Sequence, residues 1–229
     1  TIFPTVLDKE IIRSTLGQES CTPMPYRDQN NILYKGSASI VDGRFSFSFV
    51  VPKDIAYNYG NGKISYYAVS DEDSPRDAGG REENFIIGGT SENIDYDYDG
   101  AEISLYMNTR VFEDGGITDA NPVLLADISD FSGINTVGNG IGHDITAILD
   151  GNSTNPFVLN EYYEAEKDDY TKGTVSFPFS ELEKGEHSIT FKVWDVFNNS
   201  SEATITFVVA DDNSFVISDY STRPNPFST

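Results

Sequence analysis

A chain of 229 residues with 38% hydrophobic and 13% aromatic content can bury the core of one large or two ordinary domains, and is too apolar for a disordered protein. No run approaches the roughly 18 to 20 consecutive apolar residues of a membrane-spanning helix. The net charge of −22 disfavours nucleic acid as a partner, because such a field repels phosphate backbones; it suits divalent cations, basic partners or simply a well-solvated surface.

Strand signals dominate from the start. Residues 5–12 form the first apolar run. Residues 37–40 and 44–51 flank Asp42-Gly43, a pair that tolerates the positive φ of a tight hairpin turn, and the second run puts Phe45, Phe47 and Phe49 on one face with Ser46 and Ser48 on the other. Residues 63–69 read as a further strand. The polar stretch 71–83, rich in acids and carrying Pro75 and Gly79-Gly80, reads as a loop. Residues 84–87 make a short strand that closes at Gly88-Gly89.

The charge shifts just after that glycine pair. Residues 1–90 hold 9 Lys and Arg against 12 Asp and Glu, whereas residues 91–229 hold 6 against 25. A domain boundary is therefore expected near residue 90. The second part carries at least six strand candidates, at 102–107, 123–128, 144–149, 174–179, 187–194 and 203–209. Turn residues separate them at 113–116, 150–152 and 184–186. No segment keeps a 3.6-residue apolar period over three turns, so the fold class is all-β: two tandem β-sandwich domains of immunoglobulin-like type. The expected units are a module at 1–90 with its leading strand lost upstream, a sandwich at 91–212, and a linker with the start of a further domain at 213–229.

One sequence motif carries distinct chemistry. Asp95-Tyr96-Asp97-Tyr98-Asp99-Gly100 places carboxylates at alternate positions before a glycine, as in the first half of a calcium loop, because a hard cation needs several oxygens from a tight turn. Tyr106 stands where such a loop would carry its bidentate glutamate, so further ligands must come from elsewhere, with Asp127 and Asp130 as candidates. The bland alternative is an acidic inter-domain linker. Nucleophilic catalysis is not expected: Cys21 lies in a loop, and His143 and His187 belong to the other predicted domain. Two histidines alone make no convincing zinc site. Trp194, Tyr162, Tyr163, Tyr66 and Tyr67 could form a sugar-stacking face, which keeps a glycan-binding or adhesion module as the alternative function.

Several blocks, taken in order, carry a resemblance. They are Val6-Leu7-Asp8-Lys9, Val50-Val51-Pro52-Lys53-Asp54-Ile55 and Gly60-Asn61-Gly62-Lys63-Ile64-Ser65-Tyr66, then Asp127-Ile128-Ser129-Asp130-Phe131-Ser132-Gly133-Ile134-Asn135. The most specific are Gly140-Ile141-Gly142-His143-Asp144 running on to Asp150-Gly151, and Trp194-Asp195-Val196-Phe197-Asn198-Asn199-Ser200. This succession resembles the region that follows the catalytic domain in the sortases of the Bacteroidetes type IX secretion system, members of the gingipain-type cysteine peptidase family. Arg223-Pro224-Asn225-Pro226-Phe227 resembles the opening of a type IX sorting domain. The resemblance implies that the chain is an excised, non-catalytic piece, since in that family a cysteine–histidine pair in the preceding domain does the chemistry. It also implies a place in the cell envelope, at the outer membrane or cell surface. The implied partners are the other domains of the parent protein, secretion-system proteins and the sorting domains of cargo.

Overall fold

The structure, a computed structural model, describes residues 1–53, 55–71, 73–91, 97–136 and 142–210, without the side chain of Glu19. The expected linker and sorting-domain start at 213–229 lie outside the described residues. The chain is all-β, with seventeen strands among the described residues and only two short 3-10 turns. No helix among them is long and apolar enough to cross a membrane.

The N-terminal part is built on strands β1 (Ile2–Leu7), β2 (Ile11–Ser14), β3 (Pro25–Asp28), β4 (Ile32–Lys35), β5 (Gly60–Asn61), β6 (Lys63–Val69), β7 (Asp77–Glu82) and β8 (Ile86–Ile87). Four of them make an antiparallel sheet in the order β4-β1-β6-β7, and β2–β3 and β5–β8 form two-stranded ribbons. Alternation decides which side is covered. Val6 lies opposite Tyr34 on β4 and Ile64 on β6, and these three pack with Phe47 and Phe49 in one cluster. The other face leaves Phe3 and Tyr67 half exposed and stacked on each other, with ring centroids 6.2 Å apart.

Three expectations for this part change. The strand expected at 5–12 is broken, because Asp8 and Lys9 turn inward: Lys9 Nζ donates to Asp8 Oδ1 at 2.9 Å and to the Ala56 carbonyl at 2.7 Å. A buried lysine stays charged only with such partners, so the chain kinks and β2 starts afresh. The hairpin expected around Asp42-Gly43 shrinks to its turn. Both residues have positive φ, 52° and 74°, as a tight two-residue turn requires, yet only Val41 and Arg44 bridge across it. Phe47 and Phe49 then leave the ladder and stack on Tyr34, at 5.6 and 4.8 Å. Finally, the expected loop at 71–83 contains β7, a regular strand on the edge of the sheet.

The C-terminal part comprises β9 (Glu102–Met107), β10 (Ile117–Thr118), β11 (Val123–Ser129), β12 (Thr146–Leu149), β13 (Phe157–Val158), β14 (Tyr163–Glu166), β15 (Asp169–Pro178), β16 (Gly185–Trp194) and β17 (Ser200–Val209). Two sheets face each other, in the orders β10-β17-β16-β12-β13 and β14-β15-β11-β9. All six expected strands of this region are present. Ile189, Phe191 and Val193 on β16 and Ile205, Phe207 and Val209 on β17 point inward, against Leu124, Ala126 and Ile128 on β11 and Val175 on β15. This is the period-2 pattern of a half-buried strand expressed as one continuous core. Gly173 interrupts β15 for a packing reason: a Cβ there would sit inside the ring of Tyr163, which is 4% exposed.

Candidate functional site

Two turns at one end of the sandwich build the most concentrated polar site. The first follows β11. Asp130 Oδ1 accepts hydrogen bonds from the Ser132 and Gly133 backbone N–H groups, at 2.8 and 3.0 Å, an Asx-type turn in which a carboxylate replaces a backbone acceptor. The second follows β16. Asp195 Oδ1 accepts from the Phe197 and Asn199 backbone N–H groups at 2.9 and 2.7 Å, and Oδ2 accepts from Asn199 Nδ2 at 2.6 Å. A bridge between Ile134 and Asp195 ties the turns together.

Asp97 enters between them. Ser132 Oγ lies 2.9 Å from Asp97 Oδ2 and 2.7 Å from Asp130 Oδ1; its single proton can serve only one of the two at a time. Asn199 Nδ2 also reaches the Asp97 carbonyl at 3.1 Å. The result is a triad, Asp97, Asp130 and Asp195, whose carboxylate oxygens lie within 4.8 Å of one another. Asp195 is fully buried. Burial raises its pKa above the ordinary carboxylate value; the hydrogen bonds from Asn199 oppose that rise and the neighbouring Asp130 charge adds to it.

The expected calcium motif is thus partly brought together. Asp97 belongs to the triad. Asp99 does not: it is exposed, and its backbone N–H bonds to Asp97 Oδ1 at 3.1 Å. Asp95 lies outside the described residues. Of the two further candidates, Asp130 is in the triad. Asp127 is held elsewhere by a bidentate pair with Arg110, both contacts at 2.7 Å, and the hydrogen bond from Arg110 lowers its pKa. Sequence reasoning missed Asp195, although it stands in one of the most distinctive blocks of the chain.

The same turns meet the N-terminal part. The Lys53 backbone N–H donates to the Val196 carbonyl at 3.0 Å. Its ammonium donates to the Phe197 carbonyl at 3.2 Å and lies 4.6 Å over the Phe197 ring. A second set of contacts forms at the β14–β15 turn. Asp168, at φ 64°, accepts from the Ser39 backbone N–H at 2.7 Å and its hydroxyl at 2.6 Å, and donates its own N–H to the Ser37 carbonyl at 2.9 Å. The bonds from Ser39 hold the Asp168 carboxyl below its ordinary range. Beside the triad lies an open groove of about 1360 Å³, lined by Lys53, Ile55 and Tyr57 on one side and Asp130, Phe131 and Phe197 on the other.

The remaining candidates separate. Cys21 is exposed, on the loop between β2 and β3. His143 packs against Trp194 with centroids 4.3 Å apart. His187 is spanned by two acceptors, Asp150 Oδ2 at 2.8 Å and the Glu183 carbonyl at 2.7 Å. An imidazole bonded at both nitrogens to acceptors is favoured as the cation; burial works against this, but the Glu183 and Asp150 bonds prevail and raise its pKa. The aromatic set does not form one face. Tyr66 and Tyr67 point to opposite sides of β6 by alternation, Tyr66 against Phe45 and Tyr67 against Phe3. Tyr163 is in the core, and Tyr162 packs edge-on against Phe177.

No family model matches the chain, and no curated protein matches it. Among solved structures it is similar to the crystal structure of dimeric latent PorU from Porphyromonas gingivalis, with 33% sequence identity and a TM-score of 0.51. The likeness covers 93% of this chain and 20% of the PorU chain. The fold is PorU-related. The chain spans about a fifth of the protein it resembles.

Proposed function

We propose that this chain is the non-catalytic β-sandwich segment of a PorU-like cysteine peptidase, a sortase of the type IX secretion system at the cell surface. Its task is positional: it holds a catalytic domain on one side and a sorting domain on the other at a set spacing, and it offers surface to secretion proteins or cargo. The observation that carries this reading is the PorU likeness over 93% of the chain at 33% identity. Both nitrogens of His187 face acceptors other than a thiol, which supports a non-catalytic role, since a thiol nucleophile needs a base within hydrogen-bond reach. The test is deletion of residues 91–212 from the full-length protein, with folding of the remainder checked by circular dichroism. Loss of cargo processing supports the reading; unchanged processing overturns it, as does peptide turnover by the purified 229-residue chain.

The calcium expectation becomes a proposal on the triad. Asp97, Asp130 and Asp195 supply hard oxygen donors within 4.8 Å of one another, the donor chemistry that calcium selects. A bound cation would offset the repulsion among three carboxylates that the burial of Asp195 intensifies. Thermal unfolding in calcium and in EDTA decides it. A higher Tm in calcium that disappears in Asp130→Asn supports the site, and equal Tm values sink it.

A further inference from the structure

The groove beside the acidic triad has two unlike walls. The sandwich side carries Asp97, Asp99, Glu102 and Asp130, and the N-terminal side carries Val51 and Tyr57. Neither lysine of the lining neutralises the acidic wall. The Lys53 ammonium is engaged by the Phe197 carbonyl and ring, and Lys172 lies 3.9 Å from Asp169. The carboxylates of Asp99 and Glu102 are exposed and have no partner among the described residues. Single exposed apolar side chains are ordinary on a protein surface. Here three share one concave surface: Val51 is 43% exposed, Tyr57 57% and Phe131 85%. Phe131 also stands inside the turn that Asp130 Oδ1 ties to the N–H groups of Ser132 and Gly133, so a fixed backbone holds a large ring in water. Exposed apolar surface rimmed by polar groups marks a partner site, and such sites form preferentially where two structural units meet.

The charge on one wall and the apolar side chains on the other select the partner. We propose that the groove binds an extended segment of a partner protein in which basic and apolar side chains alternate. Successive side chains of an extended chain point to opposite sides. Basic side chains therefore turn toward Asp99 and Glu102 while the intervening apolar ones turn toward Val51 and Tyr57. Arginine suits the acidic wall better than lysine, because its planar guanidinium bonds a carboxylate with two N–H groups at once. The same cation can lie over the exposed ring of Phe131, which is on that side. An acidic segment or a polyanionic chain meets repulsion from the wall instead. Such docking rests on the positional reading, whose offered surface it names; the test uses the purified 229-residue chain alone, so a negative result leaves the deletion test of that reading standing.

The experiment is fluorescence anisotropy of a labelled peptide, Arg-Leu-Arg-Leu-Arg, titrated with the chain in EDTA, which keeps divalent cations off the acidic wall. Saturable binding that weakens as salt rises is expected. Two comparison peptides separate the causes. Arg-Ser-Arg-Ser-Arg keeps the charge without the apolar groups, and Glu-Leu-Glu-Leu-Glu keeps the apolar groups with the opposite charge. Each binds roughly 10-fold more weakly or worse. Tyr57→Ala, Phe131→Ala and Glu102→Lys each weaken the first peptide by roughly 10-fold. The net charge of −22 attracts any cation at long range, so Glu186→Lys serves as the control. It makes the same change of charge at the exposed start of β16, away from the groove, and leaves binding within about 2-fold. All four positions are exposed, and unchanged thermal unfolding shows that the variants fold. Four outcomes overturn the proposal: no saturable binding, a comparison peptide that binds as tightly, any of the three groove variants binding like wild type, or Glu186→Lys weakening binding as much as Glu102→Lys.

Discussion

The side-chain amide of Asn199 lies 2.6 Å from Asp195 Oδ2 and 3.1 Å from the carbonyl of Asp97. One amide therefore fastens the turn after β16 to the segment that enters β9, 102 residues earlier in the chain. It also supplies part of the hydrogen bonding that lets the fully buried Asp195 exist as a carboxylate. Asn199→Ala removes that support and leaves an under-satisfied buried acid. The expected loss is about 1–3 kcal/mol of stability, read from urea unfolding. Asn199→Asp should be worse, since it adds a fourth carboxyl to the triad.

His187 should titrate above 6.5, its ordinary value, because the Glu183 and Asp150 contacts outweigh burial. A folded-state pKa above the unfolded one stabilises fully below about pH 6.5 and loses that contribution as pH rises through the folded value. Asp150→Asn should therefore cost more at pH 6 than at pH 9. Chemical denaturation at both values, with NMR titration of the imidazole, checks the sign. An equal cost at both values would show that the pair carries no pH-linked stability.

Asp168 runs the other way. Its folded pKa lies below 3.8, held there first by the Ser39 hydroxyl and then by the Ser39 backbone N–H. Its contribution is present above pH 3.8 and is lost as pH falls through the lowered value. Ser39→Ala should move the Asp168 titration, followed by NMR, back toward 3.8. A titration unmoved by the substitution would remove the hydroxyl as the cause.

Strand β16 offers a stability contrast between adjacent residues. Phe191 is fully buried, and Phe191→Ala should cost about 3–5 kcal/mol through lost burial and the cavity left behind. Thr190 points outward, where its hydroxyl meets that of Thr204 at 3.2 Å, and Thr190→Ala should stay within about 0.5 kcal/mol. Urea unfolding of the two variants measures the difference directly.

The same contrast explains what could be read from sequence. Ile189, Phe191 and Val193 alternate in sequence with Thr190, Lys192 and Trp194, and β16 occupies those positions with the first three buried. Strand β7 was hidden because Asp77–Glu82 has no β-branched or aromatic residue; backbone pairing to β6 alone makes it a strand. The hairpin around Asp42-Gly43 was read correctly at its turn and too far into its arms, since stacking on Tyr34 draws Phe47 and Phe49 out of any ladder. The acidic triad was half legible. Local spacing pointed to Asp97, and the scarcity of nearby ligands pointed to Asp130. Asp195 lies 65 positions further along, and only the folding of β11 beside β15 and of β16 beside β17 brings the two turns to one end of the sandwich.

Among the described residues, the N-terminal part and the sandwich touch at several places: Asp168 on Ser37 and Ser39, Lys167 on Thr1, Tyr170 packed on the cluster of Val6, Leu33 and Tyr34, and Lys53 on Val196 and Phe197. A single contact acts as a pivot, about which a module can still swing. Several spaced contacts act as a clasp, and a clasp fixes an angle. Torque applied to the sandwich from its far end would thus be felt at Ser39, at the Tyr170 packing and at Lys53 together.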